Sequence, residues 1–158
     1  MSLVVAKFGG TSVADYGAMN RCADIVLANP DCRLVVVSAS SGVTNLLVEL
    51  ANGVQDANQR LSIIKQLADI HHAIIDKLAD PLQVEKEVHS ILDMVASVAE
   101  AASFQASKKL TDHLVACGEL MSTFILTQLL RERAWMRSVL IFEKCCVLMI
   151  TTVGRNRN

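Results

Sequence analysis

The sequence predicts an α/β fold built on a parallel sheet, and three features support this prediction. Two short apolar runs, Leu3 to Phe8 and Leu34 to Val37, have the length and composition of buried parallel strands. Each run ends in a loop of small residues, and an amphipathic helical pattern follows each loop. Two strand–loop–helix units in succession favour neighbouring parallel strands joined by helical crossovers.

Composition indicates one domain with a substantial core. The chain has 158 residues, of which 52% are hydrophobic, and this excludes a disordered linker. Its 15 Lys and Arg nearly balance 16 Asp and Glu, which gives no reason to expect nucleic acid or a membrane as partner. We find no signal peptide and no uninterrupted apolar run of roughly 18–20 residues. Five cysteines without ligand spacing predict reduced thiols, so we expect a cytoplasmic protein.

Helical periodicity and helix-breaking residues predict the remaining elements. A first helix, from about Asp15, ends at the Asn29-Pro30-Asp31 break. Its predicted apolar face comprises Ala18, Cys22, Ile25 and Val26. A short helix is predicted from Thr44 to Leu50, and a long helix follows whose apolar face runs from Leu61 to Ile74. After a break at Asp80-Pro81, the next helix has an apolar face from Val84 to Val98. A final helix is predicted from Thr111, a good N-cap residue, to Arg133.

Two loops at the predicted carboxyl ends of the strands are candidates for a ligand site, because open α/β sheets bind ligands there. The first, Lys7 to Ser12, offers paired glycines whose N–H groups suit a phosphate, beside a lysine. It lacks the spacing of a Walker A loop. The second, Ser38 to Asn45, offers hydroxyl groups that suit carboxylate or amine recognition. Either loop alone could be a tight connection, whereas both together favour a site.

A third candidate is Glu119, which follows Gly118 within an apolar helical segment. A buried carboxylate is costly unless it is paired or binds a cation, and the alternative is a glutamate on the polar face of the helix. The four histidines share no ligand spacing, so we predict no metal site.

Three separated stretches, Lys7 to Ser12, Val37 to Asn45 and Gly118 to Ser122, together closely resemble the start of aspartate kinases. The flanking residues resemble the lysine-sensitive, monofunctional bacterial type, and the resemblance runs from about Val4 to Arg133. It implies the amino-terminal part of an amino acid kinase fold, a three-layer α/β/α sandwich with a parallel-rich sheet. It also implies transfer of the ATP γ-phosphate to the side-chain carboxylate of L-aspartate, the first step towards lysine, threonine and methionine.

The resemblance assigns ATP and phosphate binding to the first loop. Lys7 would be the catalytic residue that neutralises charge on the transferred group, and Phe8, Gly9 and Gly10 would complete the phosphate site. Charge and positioning are what phosphoryl transfer requires, so the residue types agree with this assignment. The resemblance also implies Mg²⁺ with ATP.

The resemblance assigns L-aspartate binding to three other residues. Ser38 and Thr44 would contact the substrate, and Glu119 would hold its ammonium group. Because aspartate carries two carboxylates and one ammonium, hydroxyl groups and one glutamate suit it. The family also implies a homo-oligomer, with neither nucleic acid nor membrane as partner.

Residues 134–158 differ from the rest of the chain. They carry four basic and one acidic side chain, and they stop resembling the family at Ala134. Reading their codons one base out of frame permits a string that resembles the family's own continuation, including R-T-N-D. We therefore expect residues 1–133 to be family-derived and residues 134–158 to be a non-native, frameshifted tail.

Two further hypotheses remain open beside an aspartate kinase. One is a non-catalytic product, either a pseudogene relic or a fragment that interferes with intact subunits by binding them. The other is an amino acid kinase with a different acceptor. Since the resemblance covers only the amino-terminal part of a longer enzyme, we expect residues 1–158 alone to have negligible kinase activity.

Overall fold

A computed structural model of the chain describes residues 2–133, 137–142 and 147–152. Strands and helices alternate at first, and a run of helices follows. In chain order the elements are β1 (Val4–Phe8), a 3-10 helix (Gly10–Val13), α1 (Tyr16–Ala28), β2 (Cys32–Val37), α2 (Val43–Ala51), α3 (Ala57–Ile75), α4 (Leu82–Phe104), α5 (Lys108–Arg133), β3 (Arg137–Phe142) and β4 (Val147–Thr152).

The four strands form one sheet in the order β1-β2-β4-β3. β1 and β2 are parallel, with Phe8 opposite Val37, which confirms the predicted parallel pair. β4 is antiparallel to both β2 and β3. The segments of β3 and β4 are rich in β-branched and aliphatic residues, which favour strands. They lie in the region expected to be non-native, and the boundary at residue 133 stays a prediction.

Capping residues set the helix boundaries. The Asp15 side chain accepts a hydrogen bond from the Ala18 backbone N–H at 2.7 Å and so begins α1. α5 begins three residues earlier than predicted, at Lys108. The Ser107 hydroxyl accepts from the Leu110 N–H at 3.2 Å, so Ser107 and not Thr111 caps this helix.

α5 is the central helix of the domain, because it packs against α1 to α4 and against the sheet. Its buried side chains include Leu114, Met121, Ile125 and Leu129. Among the described helices it alone has the length and mean hydropathy of a membrane-spanning segment. Most of that apolar stretch is buried within the domain, as in the core helix of a globular fold.

The prediction that Ile25 and Leu61 belong to the core was wrong. Ile25 and Leu61 are 58% and 64% exposed. In α1 the buried face is centred between Ala18 and Ala23, which leaves Ile25 at its edge. In α3 the buried face includes Ile63, and Leu61 lies about 160° around the helix from it.

Candidate functional site

The loops that follow β1 and β2 lie side by side at the carboxyl ends of these strands. The Ser38 backbone N–H donates to the Phe8 carbonyl at 3.1 Å, and the Ser41 N–H donates to the Gly10 carbonyl at 3.1 Å. Two backbone hydrogen bonds therefore join the loops that the sequence placed 30 residues apart. We call the region formed by residues 7–12, 38–45 and 118–122 the strand-end site.

The two glycines of the first loop have different structural roles. A Cβ atom at Gly10 would lie 2.9 Å from the Ala39 carbonyl oxygen, so the second loop can approach only because this residue is glycine. A Cβ atom at Gly9 would meet nothing within 4 Å, and Gly9 is exposed. Gly10 therefore holds the two loops together, whereas the backbone at Gly9 is open to a ligand.

Gly118 brings the third stretch to the same place. A Cβ atom there would lie 2.8 Å from Leu47 Cδ1 and 3.0 Å from both Ala39 Cβ and Val43 Cγ1. α5 can thus pack closely against the second loop and the start of α2. This contact brings Gly118, and with it the next residue Glu119, up to the second loop of the strand-end site.

A buried serine connects the site to its surroundings. The Ser40 hydroxyl donates to the Val13 carbonyl at 2.8 Å and lies 3.4 Å from the Ser122 hydroxyl. Ser40 is 1% exposed, so it is a structural residue and its hydroxyl is not available to a ligand. The sequence pattern alone could not separate Ser40 from the other hydroxyl residues of its loop.

The residues assigned by resemblance differ in exposure. Lys7 and Thr44 are exposed, whereas Ser38 and Glu119 are half-buried and Phe8 is buried in the core. The Glu119 backbone carbonyl accepts from the Thr123 hydroxyl at 2.8 Å. The four polar side chains assigned by resemblance, Lys7, Ser38, Thr44 and Glu119, are therefore at least partly accessible to solvent.

The start of α2 adds a favourable charge distribution. Gly42 precedes this helix with φ of 86°, a left-handed conformation that favours glycine. Thr44 and Asn45 lie in the first turn, where the positive end of the helix dipole and unpaired N–H groups favour anions. The strand-end site thus combines Lys7 and a helix N-terminus with the carboxylate of Glu119, which suits a ligand that carries both signs of charge.

The described cysteines are structural. Cys22, Cys32 and Cys117 are buried, and the Cys22 thiol donates to the Ser12 carbonyl at 3.1 Å. Burial raises the pKa of the Cys22 and Cys117 thiols, which keeps them protonated and unreactive at neutral pH. Cys145 and Cys146 lie outside the described residues.

Helix packing brings together two histidines that the sequence pattern did not connect. His72 of α3 and His89 of α4 have their Nε2 atoms 3.1 Å apart. They belong to the α3–α4 pair and not to the strand-end site. His113, in contrast, is exposed and lies with Nε2 3.2 Å from Met94 Sδ.

Comparison with known proteins gives consistent results. The sequence model of the amino acid kinase family matches residues 2–156. The chain is 49% identical over 131 residues to the lysine-sensitive aspartokinase 3 of Escherichia coli (strain K12), and this match covers 83% of the chain and 29% of that relative. It is 53% identical over 81 residues to a Haemophilus influenzae protein named provisionally as an inactive aspartokinase 3, covering 51% of the chain and 66% of that relative.

Solved structures show the same likeness. E. coli aspartokinase III in complex with aspartate and ADP superposes with a TM-score of 0.81 at 48% identity, over 84% of this chain and 29% of that one. The aspartate kinase of Clostridium acetobutylicum, at 20% identity and a TM-score of 0.58, shares the fold over 83% of this chain and 30% of its own. The chain therefore spans less than a third of the solved enzymes that it matches.

Proposed function

Because the chain belongs to the amino acid kinase family, we propose that its strand-end site is the phosphate- and aspartate-binding part of an aspartate kinase. The reaction transfers the γ-phosphoryl group of ATP to L-aspartate and yields 4-phospho-L-aspartate and ADP. The observation that carries the proposal is the convergence of three separated stretches, residues 7–12, 38–45 and 118–122, through the contacts at Gly10 and Gly118. The proposal places this chemistry in the cytoplasm, on the route to lysine.

The first loop would handle the phosphates. An oxygen of the aspartate side-chain carboxylate attacks the γ-phosphorus, and the bond from that phosphorus to the β,γ-bridging oxygen breaks, so that ADP leaves with the electron pair. Lys7, at the end of β1, would offset the negative charge on the transferred group. The open backbone at Gly9 would let an N–H group approach a phosphate oxygen.

The second loop and α5 would hold the acceptor. Hydroxyl groups of Ser38 and Thr44 can donate to the carboxylates of aspartate, and Glu119 can pair with the ammonium group. The half-buried position of Glu119 strengthens such a pair, because it is screened less than one at the surface.

The two strand-end loops supply no carboxylate ligand, so the residues present do not form a dedicated Mg²⁺ site. Glu119 is the acid of the third stretch, and the proposal assigns it to the ammonium group. Any Mg²⁺ would therefore come with the nucleotide phosphates, and no step here depends on it.

We further propose that residues 1–158 alone bind aspartate without catalysing transfer. Lys7 and Thr44 are exposed, and phosphoryl transfer requires a site that positions both substrates and excludes water. The provisional name of the H. influenzae relative, an inactive aspartokinase 3, supports a non-catalytic product. The alternative, in which this chain interferes with intact subunits by binding them, also requires that the chain folds and forms the strand-end site.

Calorimetric titration of the 158-residue chain with L-aspartate tests the binding proposal. We expect saturable binding, and we expect Glu119→Gln to weaken it about 10- to 100-fold, because a charge-assisted hydrogen bond is worth roughly 1.5–3 kcal/mol. Glu49→Gln is the matched control, since Glu49 is exposed on α2 outside the site. A folded chain that does not bind aspartate, or two variants that bind equally, would contradict the proposal.

Trapping of aspartyl phosphate with hydroxylamine tests the second part separately. We expect no hydroxamate above background when the chain is incubated with ATP, Mg²⁺ and L-aspartate. Formation at rates comparable with a complete aspartate kinase would show that the chain is active by itself. That outcome would leave the site assignment intact while refuting the non-catalytic proposal.

The tail proposal is tested at the level of DNA. If residues 134–158 arise from a net shift of one base, sequencing from the Arg133 codon past the Asn158 codon will show a family-like reading frame that continues out of register. If the DNA beyond the Arg133 codon encodes no family-like sequence in another reading frame, the frameshift hypothesis is wrong.

A further inference from the structure

Two histidines from successive helices face each other on the surface of the helical region. The Nε2 atoms of His72 in α3 and His89 in α4 are 3.1 Å apart, and the ring centroids are 5.2 Å apart at an interplanar angle of 51°. His72 is half-buried and His89 is exposed. The rings are tilted and not stacked, and the Nε2 atom of each ring lies within hydrogen-bond distance of the other.

A carboxylate completes the group. Glu85 lies one helical turn before His89 on α4, and one ligand atom from each of His72, Glu85 and His89 lies within 4.8 Å of the other two. Although the spacing of the histidines in the sequence predicts no metal site, we propose that His72, Glu85 and His89 form a binding site for a divalent transition metal ion, with Zn²⁺ as the best match to their chemistry.

The distances fit the coordination of zinc. Zn²⁺ binds imidazole nitrogen at about 2.0–2.1 Å and carboxylate oxygen at about 2.0–2.2 Å. Two nitrogens at tetrahedral positions around such an ion lie roughly 3.3 Å from each other, close to the 3.1 Å between the two Nε2 atoms. The Glu85 carboxylate already lies within 4.8 Å of both nitrogens and belongs to a flexible side chain, so it is the third ligand of the proposed site.

Solvent reaches two of the three proposed ligands through a surface cavity. The cavity has a volume of about 380 Å³ and is lined by Glu85 and His89 together with Lys86, Ser90 and Asp93. A water molecule from this cavity can complete a tetrahedral site of two histidines and one glutamate. Glu85 and Asp93 carry two negative charges against one positive charge on Lys86, so the lining of the cavity has a net negative charge that favours a cation.

The neighbouring histidine belongs to the core and not to this site. His71 is fully buried, and its Nδ1 atom lies 2.6 Å from the Leu67 carbonyl oxygen. Only every third or fourth residue of α3 faces α4, so His72 is the histidine placed to meet His89. A bound ion would therefore join α3 to α4 at the surface and stabilise their packing.

Titration of the metal-free, 158-residue chain with Zn²⁺ against a chromophoric chelator tests this proposal. We expect one ion per chain and at least a tenfold loss of affinity in both His72→Gln and His89→Gln. His113→Gln is the matched control, because His113 is an exposed histidine of α5 that lies outside the group. Unfolding of each variant in EDTA verifies that the fold is unchanged, since neither His72 nor His89 is part of the buried core.

Substitution with Co²⁺ identifies the ligand atoms. Nitrogen and oxygen ligands give visible d–d bands without the near-ultraviolet charge-transfer band of thiolates, so binding through the cysteines of the chain is distinguished from binding through His72 and His89. We expect d–d bands that disappear in the double histidine variant. Binding that persists in this variant, a thiolate band, or an equal loss in His113→Gln would overturn the proposal.

Discussion

The close approach of the two strand-end loops predicts that Gly10→Ala destabilises the protein. The new Cβ atom would lie 2.9 Å from the Ala39 carbonyl oxygen and 3.7 Å from the Ser41 backbone nitrogen. Both neighbours are backbone atoms, and the Ser41 N–H is itself bonded to the Gly10 carbonyl, so no side chain can move away to relieve the contact. The loops must separate by several tenths of an ångström.

The magnitude follows from three contributions. Overpacking against backbone atoms that cannot move aside costs about 2–3 kcal/mol, the upper part of the usual range, and weakening of the Ser41–Gly10 hydrogen bond adds up to about 1 kcal/mol. Alanine restricts the conformations of the unfolded chain and so stabilises the folded state by about 0.4–1 kcal/mol. This gain applies at position 10 because Gly10 does not have a positive φ. We therefore expect a net loss of roughly 1–3 kcal/mol in the free energy of unfolding.

Gly9→Ala is the matched control. Gly9 has φ of −77°, which alanine adopts without strain, and its Cβ atom would meet nothing within 4 Å. This variant should be as stable as the wild type or up to about 1 kcal/mol more stable. Urea unfolding measures both variants, and with a slope of about 2 kcal/mol/M the two midpoints should differ by roughly 0.5–2 M. If the urea midpoint of Gly10→Ala is at or above that of Gly9→Ala, the approach of the two loops does not depend on glycine at position 10.

Three further predictions follow from buried or capping groups. Burial lowers the pKa of His71, so the unfolded chain binds a proton more readily than the folded chain does. The free energy of unfolding should therefore fall below about pH 6.5, by up to about 1.4 kcal/mol per pH unit, until the pH reaches the pKa of the folded state. Urea titrations at several pH values measure this dependence, and His71→Leu should remove the contribution of His71 to it. Ser40→Ala should cost about 1–3 kcal/mol, because the Val13 carbonyl loses a buried 2.8 Å hydrogen bond, whereas Ser41→Ala at an exposed position should be near neutral. The Glu132 carboxylate accepts from two backbone N–H groups of the α3–α4 turn at 3.1 and 2.8 Å, so Glu132→Ala should lower the thermal midpoint by a few degrees, and an unchanged midpoint would contradict this capping role.

The sequence could predict the elements and the location of the site because local signals are strong in both. β1 and β2 end where the glycine- and serine-rich loops begin, the break at Asn29 ends α1, and the break at Pro81 lies between α3 and α4. Because the carboxyl ends of neighbouring parallel strands lie at the same edge of the sheet, where ligands bind, the two loops can be placed together without knowledge of side-chain packing.

Tertiary packing determines the features of the site that the sequence could not predict. Gly118 resembles any helical glycine in the sequence, yet its missing Cβ atom allows α5 to approach Ala39 and Val43. The burial of Ser40 and the exposure of Ile25 depend on which neighbours surround each helix and loop. His72 and His89 are 17 residues apart, and no ligand spacing relates them until α3 and α4 pack.

If three separated stretches form one aspartate-binding site, L-aspartate should perturb all three at once, and amide chemical-shift mapping reports this residue by residue. L-Aspartate is titrated into the ¹⁵N-labelled chain, and the perturbed backbone amides are assigned. We expect saturable shifts concentrated in residues 7–12, 38–45 and 118–122, with Glu119→Gln removing them at the same aspartate concentration. A folded chain whose amides do not shift, or shifts concentrated in α3 and α4, would contradict this expectation.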